Sequence, residues 1–194
     1  MKIVVKRGIA YIIDIIIIFF FLFCIYKFIP KNEELLSKQS EMNEISEQYL
    51  NKEINFSTYF DEYSTLIYEM DHCKMGDYMI ILIVIHIYFI GIPYFTSQTI
   101  GMKLLHLSYA QKNKEKLSIL SLWIRNIIFN GLFYYIGLIL SQIVLKNQIY
   151  FINVIILGII QILLVIISQF MIIYRKDCRG LHDILSNTKI KEEV

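Results

Sequence analysis

The sequence has little of what stabilises small secreted proteins and none of the common signatures of soluble enzymes. It has three cysteines in 194 residues, and their scattered positions exclude a disulfide framework. The formal net charge is only +2, so binding to nucleic acid through overall charge is not expected. Gly-rich phosphate loops, His-Glu-x-x-His and Gly-x-Ser-x-Gly are absent from the sequence. We therefore expect a protein that is not an enzyme and that needs no metal or cofactor.

Long apolar stretches are what the sequence does contain. The chain is 56% hydrophobic, its mean hydropathy is +0.54, and most of its apolar residues lie in 8–29, 78–95, 127–145 and 149–174. About 20 residues are needed to cross a bilayer as a helix. The pattern predicts an all-α integral membrane bundle of four transmembrane helices and excludes a soluble or disordered chain. The first stretch is too long for a signal-peptide core and no small-residue cleavage site follows, so we expect a retained helix.

The distribution of basic residues predicts how the chain is oriented. With the N-terminus inside, the segments 1–7, 96–126 and 175–194 face the cytoplasm and hold 3, 5 and 5 lysines and arginines. The loop 30–77 has four lysines against eleven acids. Because basic segments near helix ends stay in the cytoplasm, we expect both termini inside a bacterial cytoplasmic membrane and the acidic loop outside.

The acidic loop 30–77 itself has a helical pattern. Asn32, followed by two glutamates, is typical of a helix start, and apolar residues then recur at helical spacing as far as Met70. The pattern predicts a helical hairpin that packs on the outer ends of the bundle. A second interpretation is an acidic, aromatic-rich surface for an external ligand or partner. His72 and Cys73 are too few to form a metal site.

Asp14 is the most unusual residue of the first stretch, because it lies roughly 10 Å from the inner end of that helix at 1.5 Å per residue. An Asp near a span centre costs about 2.5–3.5 kcal/mol, so a partner or a hydrated cavity is expected. Arg7 points away toward the N-terminus. The topology gathers Asp14, Arg125, Arg179 and Asp183 on the cytoplasmic side. We expect Arg125 to be the counter-ion of Asp14, because a planar guanidinium binds a carboxylate bidentately.

Other polar residues recur on single faces of the predicted helices. The candidates for a polar lining are His86, Asn130, Tyr134, Ser141, Asn153 and Gln161. Side chains three or four residues apart share a helix face, and such a face is typical of helix–helix contact. A hydrated transport path is the alternative. For His86, the two interpretations are a neutral, hydrogen-bonded side chain and a proton relay.

Three short motifs resemble the RDD family of bacterial membrane proteins. They read KRGIAYIID, TIGMKLL and RGLHD, and they begin at Lys6, Thr99 and Arg179. The segment after RGLHD, from Asn187 to Ile190, is similar to the closing element of the family. The resemblance covers the first apolar stretch and residues 78–190. It implies one transmembrane domain over 1–194, with 30–77 as an insertion.

The resemblance also implies which charged residues matter. The family is named for one arginine and two aspartates, which correspond here to Arg7, Asp14 and Asp183, and Arg125 matches the usual start of the third helix. Arg179 completes the set of charged candidates, which forms either an ion or proton site or a structural charge network.

Two classes of function follow from the resemblance and the residues together. Some family members are described as cation/proton antiporters, which would make Asp14 the carboxylate that alternately binds a proton and a monovalent cation. Four spans form a thin wall around a path, so a homo-oligomer is expected in that case. Other members are associated with resistance to membrane-active peptides. In that case Asp14, Arg125 and Asp183 would form a structural latch, and the acidic loop would bind a cationic peptide or a membrane partner.

Overall fold

The structure is a computed structural model that describes residues 2–30, 32–111 and 117–193. Lys112, Lys114 and Lys116, which contribute to the charge count of 96–126, lie outside the described residues. The elements are α1 (Ile3–Tyr26), α2 (Glu33–Leu50), α3 (Phe56–Cys73), α4 (Met75–His86), a π-helical turn (Ile87–Gly91), α5 (Ile92–Thr96), α6 (Ile100–Leu104), β1 (Leu107–Gln111), α7 (Ile119–Phe129), α8 (Leu132–Val144), α9 (Asn147–Tyr174), α10 (Leu181–Leu185) and β2 (Thr188–Glu192).

Three helical segments are long and apolar enough to cross a membrane. They are Ile3–Tyr26, Met75–Thr96 and Asn147–Tyr174, and the second of them contains the π-helical turn. Helices satisfy all of their backbone groups internally, which is what a bilayer interior demands. The pair α7 and α8 makes a fourth candidate if it is counted as one span. The prediction of a mostly helical membrane protein is therefore confirmed, with three or four candidate spans.

The predicted third helix is interrupted rather than continuous. The axes of α7 and α8 differ by 79°, and the break falls at Asn130 and Gly131. Gly131 has a φ of 77°, a left-handed conformation that glycine adopts at little cost just after a helix end. The expectation of one uninterrupted helix over 127–145 was wrong because this glycine ends α7.

The mostly helical chain also contains one small sheet, which the sequence did not predict. β1 and β2 pair antiparallel, with Leu107 opposite Glu192 and Gln111 opposite Thr188. The side chains of Leu107 and Thr188 are fully buried, and the exposed end of the sheet is joined to α1 by an ion pair of Lys6 with Glu192 at 2.9 Å. The strands are only five residues each, too short for their alternation to be distinguished from a loop in the sequence.

The described residues divide into two compact units. The first, called the charge unit below, comprises 1–28, 81–133 and 161–194, and it contains α1, the sheet, α6, α7 and α10. The second, called the hairpin unit, comprises 29–80 and 134–160.

The hairpin unit contains the predicted pair of helices from the acidic loop. Asn32 accepts a hydrogen bond from the backbone of Leu35 at 3.2 Å and so begins α2, as the sequence predicts. The rings of Tyr49 and Tyr59 stack at 4.6 Å between α2 and α3, and the ring of Phe60 lies 5.8 Å from that of Phe151 in α9. The helical hairpin is therefore confirmed, and it packs on the first turns of α9.

Candidate functional site

Asp14 is buried in the charge unit, with an exposed fraction of 2%. Its Oδ1 accepts hydrogen bonds from the hydroxyl of Tyr88 at 2.5 Å and from the backbone N–H of Gly101 at 2.7 Å. Its Oδ2 accepts one from the hydroxyl of Thr99 at 2.6 Å. All three donors are electrically neutral. Asp14 thus has a full set of hydrogen bonds, and no basic side chain of the described chain forms an ion pair with it.

The beginning of α6 is shaped to receive this carboxylate. Thr99 caps the helix by accepting from the backbone of Met102 at 3.2 Å, which leaves its hydroxyl hydrogen for Asp14. A Cβ on Gly101 would lie 2.7 Å from Oδ1 of Asp14. Glycine is therefore required where α6 crosses α1, because any side chain would displace the carboxylate or the backbone.

Asp183 binds two arginines, in contrast to Asp14. It is fully buried, and its Oδ2 accepts from Nη2 of Arg7 at 2.6 Å and from the backbone of Gly180 at 2.9 Å. Its Oδ1 accepts from Nη1 of Arg125. Burial by itself raises the pKa of Asp183, but the positive charges of Arg125 and Arg7 outweigh this effect, so the pKa lies below its ordinary value. Asp183 is therefore an ionised carboxylate in a three-member charge cluster.

Arg179 completes this network through the backbone. Its guanidinium donates to the carbonyl oxygens of Thr188 and Asp183, each at 3.0 Å, and so joins α10 to β2. Arg125 donates to the hydroxyl of Thr188 at 3.3 Å and lies 4.5 Å from the ring centroid of Tyr109 in β1. The charge cluster therefore holds α1, α7, α10 and the sheet together.

The predicted pairing of Asp14 with Arg125 was wrong. Arg125 binds Asp183 instead, together with Arg7, because α10 packs against α7 while α1 packs against α6. The prediction that Arg7 points away from Asp14 is confirmed. The predicted latch contained both aspartates. The structure has two separate arrangements instead, in which Asp14 is bound by neutral donors and Asp183 by two arginines.

His182 is a buried residue of α10, next to the charge cluster. Its Nδ1 shares a hydrogen bond with the hydroxyl of Ser168, and its ring lies 4.5 Å from the ring of Phe129. Its Nε2 has no hydrogen-bond partner among the described residues. Burial, reinforced by the charge of Arg125, lowers the pKa of His182 well below its ordinary value. The imidazole is therefore neutral at neutral pH.

A cavity of about 100 Å³ brings the two arrangements together. Its polar lining includes Arg7, Asp14, Arg125, Asn130 and His182, and its other walls are mostly aromatic and aliphatic. One water molecule needs at least about 10–15 Å³ measured in this way. The cavity therefore has room for a small hydrated ion beside Asp14.

Of the predicted polar lining, Asn130 reaches this cavity. In the same unit, Nδ1 of His86 donates to the carbonyl of Leu82 at 2.7 Å, and Nε2 of Gln161 donates to the carbonyl of Ile128 at 2.9 Å. The ring of His86 is therefore hydrogen-bonded to its own helix, a contact that both interpretations of this residue include.

The remaining polar candidates lie in the hairpin unit. The hydroxyl of Ser141 donates to the carbonyl of Gly137 at 2.5 Å and accepts from Nδ2 of Asn153 at 2.6 Å. The ring of Tyr134 packs 5.6 Å from that of Tyr135. The contact of Asn153 with Ser141 joins α9 to α8, which is the helix–helix role that small and polar residues commonly have in membranes.

Two groups of residues were missed by the sequence analysis. Tyr88 was counted as apolar, although its hydroxyl binds Asp14. Asp71, one of eleven acids in the loop 30–77, accepts hydroxyl hydrogen bonds from Tyr78 at 2.5 Å and Tyr150 at 2.8 Å in the hairpin unit. The Thr-x-Gly pattern at Thr99, which is typical of a capped helix start, was a usable signal for the other two donors to Asp14 but not for Tyr88. Asp71 gives no such signal.

One comparison with known proteins identifies the family of the chain. A profile of the RDD family matches residues 3–187, a range that contains all three of the motifs noted in the sequence and every member of the charge cluster. No curated protein and no solved structure matches the chain. Because the profile covers nearly the whole chain, the protein belongs to the RDD family.

Proposed function

We propose that this membrane protein exchanges protons for monovalent cations and that Asp14 is the carboxylate to which both bind. The observation that carries the proposal is the set of partners around Asp14. Tyr88, Thr99 and Gly101 are neutral donors, and the carboxylate lines a cavity large enough for a small ion. A buried carboxylate without a basic partner can take up a proton or a cation in turn.

The second buried aspartate is unsuited to this exchange. Asp183 binds Arg7 and Arg125 directly, so a cation would have to displace a guanidinium to reach it. Breaking such a buried pair costs about 3–5 kcal/mol. In the proposal, Asp183 holds the bundle together while Asp14 exchanges ions.

Proton movement in proteoliposomes tests this proposal. The purified protein is reconstituted with a pH gradient, and Na⁺, K⁺ or Li⁺ is added while an internal pH dye is followed. We expect a cation-dependent pH change in the wild type and none above empty liposomes with Asp14→Asn. That variant keeps an oxygen acceptor for Tyr88 and Gly101, places an NH₂ group toward Thr99 and cannot ionise.

The matched control is Asp71→Asn, which removes a carboxylate that is also held by hydroxyl groups but lies in the hairpin unit. It should exchange ions at the wild-type rate. Exchange that persists in Asp14→Asn, or a folded wild type that moves no protons, would refute the proposal.

The proposed orientation has the charge cluster on the cytoplasmic side and the hairpin of α2 and α3 on the outside. It is supported by the distribution of lysine and arginine along the sequence. Single-cysteine variants that retain Cys73 in α3 or Cys178 before α10 test it, since both side chains are partly exposed. A membrane-impermeant maleimide should label Cys73 on intact cells and Cys178 only after permeabilisation, and the reverse pattern would overturn the orientation.

The acidic hairpin supports a second candidate function, the capture of a cationic peptide at the outer surface. The described part of α2 buries no side chain, and its exposed acids include Glu44 and Glu47. Asp61 and Glu62 are exposed on α3 as well. Neutralising these four acids as Gln or Asn should abolish protection against such a peptide while ion exchange persists. Unchanged protection would exclude this function.

A further inference from the structure

The break between α7 and α8 places a helix end at the cavity beside Asp14. α7 ends at Phe129, and Phe129 and Asn130 both line the cavity. A helix C-terminus carries a partial negative charge, equivalent to about half an elementary charge. Interrupted membrane helices use such C-terminal ends to bind cations. The break therefore favours positive charge on the same side of the cavity as Asn130.

The hydrogen bonds around Asn130 fix the orientation of its amide. Nδ2 of Asn126 donates to the carbonyl oxygens of Leu122 at 2.7 Å and Phe89 at 3.2 Å. Because a carbonyl only accepts, the NH₂ group of Asn126 must face these two oxygens. Its Oδ1 is then left to face Asn130, whose Nδ2 donates to it.

One atom of Asn130 remains without a partner as a consequence. Its backbone N–H donates to the carbonyl of Asn126 at 3.1 Å and its Nδ2 is engaged, whereas its buried Oδ1 has no hydrogen-bond partner among the described residues. A buried amide oxygen without a donor destabilises the folded protein. A ligand that supplies positive charge would offset this cost.

The charged groups around the cavity favour a monovalent ligand over a divalent one. The two positive charges of Arg7 and Arg125 are balanced by the negative charges of Asp183 and the ionised Asp14. His182 is neutral. A bound proton and a bound monovalent cation therefore each raise the total charge around the cavity by one. A divalent cation would leave a second uncompensated charge in a buried site, which is strongly unfavourable.

We propose that Oδ1 of Asn130 is a second protein ligand for the monovalent cation that Asp14 exchanges for a proton. Carboxylate and amide oxygens are ligands that hard cations prefer, and the cavity has room for water to complete the coordination. This inference rests on the proposed exchange function and adds the residue that distinguishes the cation from the proton. A proton needs only the carboxylate, whereas a cation needs several oxygens.

The test is the dependence of the exchange rate on cation concentration in proteoliposomes. We expect Asn130→Ala to raise the half-saturating Na⁺ or K⁺ concentration by about tenfold, as the loss of one interaction with a charged group implies. The rate at saturating cation should remain near that of the wild type, because Asp14 still takes up the proton. Gln161→Ala is the matched control. It removes an amide that binds the same last turn of α7 but does not line the cavity that the described residues form, so the half-saturating concentration should not change.

Asn130→Asp tests the same oxygen in the opposite direction and retains the size of the side chain. The added carboxylate should lower the half-saturating concentration of monovalent cation and should also admit a divalent cation such as Ca²⁺. If exchange is lost in Asp14→Asn but neither Asn130 variant changes the cation dependence, the inference fails while the proposed function stands. If the folded wild type shows no exchange, both fail.

Discussion

Asp14 and Asp183 are both buried in the charge unit, at 2% and 0% exposure, yet the protein stabilises them in opposite ways. Asp14 is surrounded by two hydroxyl groups and one backbone N–H. Asp183 binds two guanidinium groups. The first arrangement leaves the charge of the carboxylate free to change, whereas the second makes that charge necessary for the fold.

The difference follows from what each partner can tolerate. A hydroxyl group can donate to a carboxylate and can also accept a hydrogen bond from a carboxylic acid, so Asp14 keeps partners in both protonation states. A guanidinium can only donate, and a buried guanidinium without an anion is strongly unfavourable. In the proposed function, exchange and structural support are therefore assigned to different aspartates in one small unit.

The largest expected effect is the loss of the Asp183 charge. Asp183→Asn leaves Arg7 and Arg125 buried without an anion, which should reduce the free energy of unfolding by about 3–5 kcal/mol. The measurement is thermal unfolding of the purified protein in detergent, together with its level in the membrane. Asp14→Asn is the comparison. It should reduce the free energy of unfolding by only about 1–2 kcal/mol, because it weakens hydrogen bonds from neutral donors and leaves no buried charge unpaired. Equal losses in the two variants would contradict the distinction between them.

A smaller effect is expected at the glycine that supports Asp14. A Cβ at Gly101 would come within 3 Å of the carboxylate of Asp14, so Gly101→Ala should destabilise the protein by about 1–3 kcal/mol through overpacking and should slow exchange. Gly8→Ala is the matched control, since nothing lies within 4 Å of a Cβ there, and alanine favours a helix more than glycine does. Both properties should be measured on the same preparations. A neutral Gly101→Ala would show that the start of α6 does not constrain Asp14.

The smallest expected effect is the pH dependence of the stability that Asp183 contributes. The pKa of Asp183 is lowered in the folded protein from its ordinary value of 3.8. Its contribution to stability is therefore complete above that value and is lost as the pH falls through the lower value of the folded state. In thermal unfolding between about pH 6 and about pH 3, the gap between wild type and Asp183→Asn should stay constant at first and should narrow only below about pH 4. A gap that narrows near neutral pH would indicate that Asp183 is not held ionised by the arginines.

Local features of the fold were predictable from the sequence, and contacts between distant residues were not. The apolar stretches indicated membrane helices because the thickness of a bilayer fixes a length that can be counted. The start of α2 at Asn32 was equally local. The break at Gly131 was missed because an isolated glycine in an apolar run does not reveal its backbone conformation. The sheet was missed because a five-residue strand depends on its partner, here about 80 residues away in the chain.

The sequence by itself determined that the chain belongs in a membrane, that Asp14 is costly there and that a small set of charged residues gathers near one end of the helices. Which arginine binds which aspartate was decided only by the tertiary structure. Asp183 meets Arg125 and Arg7 across 58 and 176 positions of the chain, while Asp14 meets the start of α6. Charge attracts at a distance without specifying a partner, so the packing of α10 on α7 and of α6 on α1 made the choice.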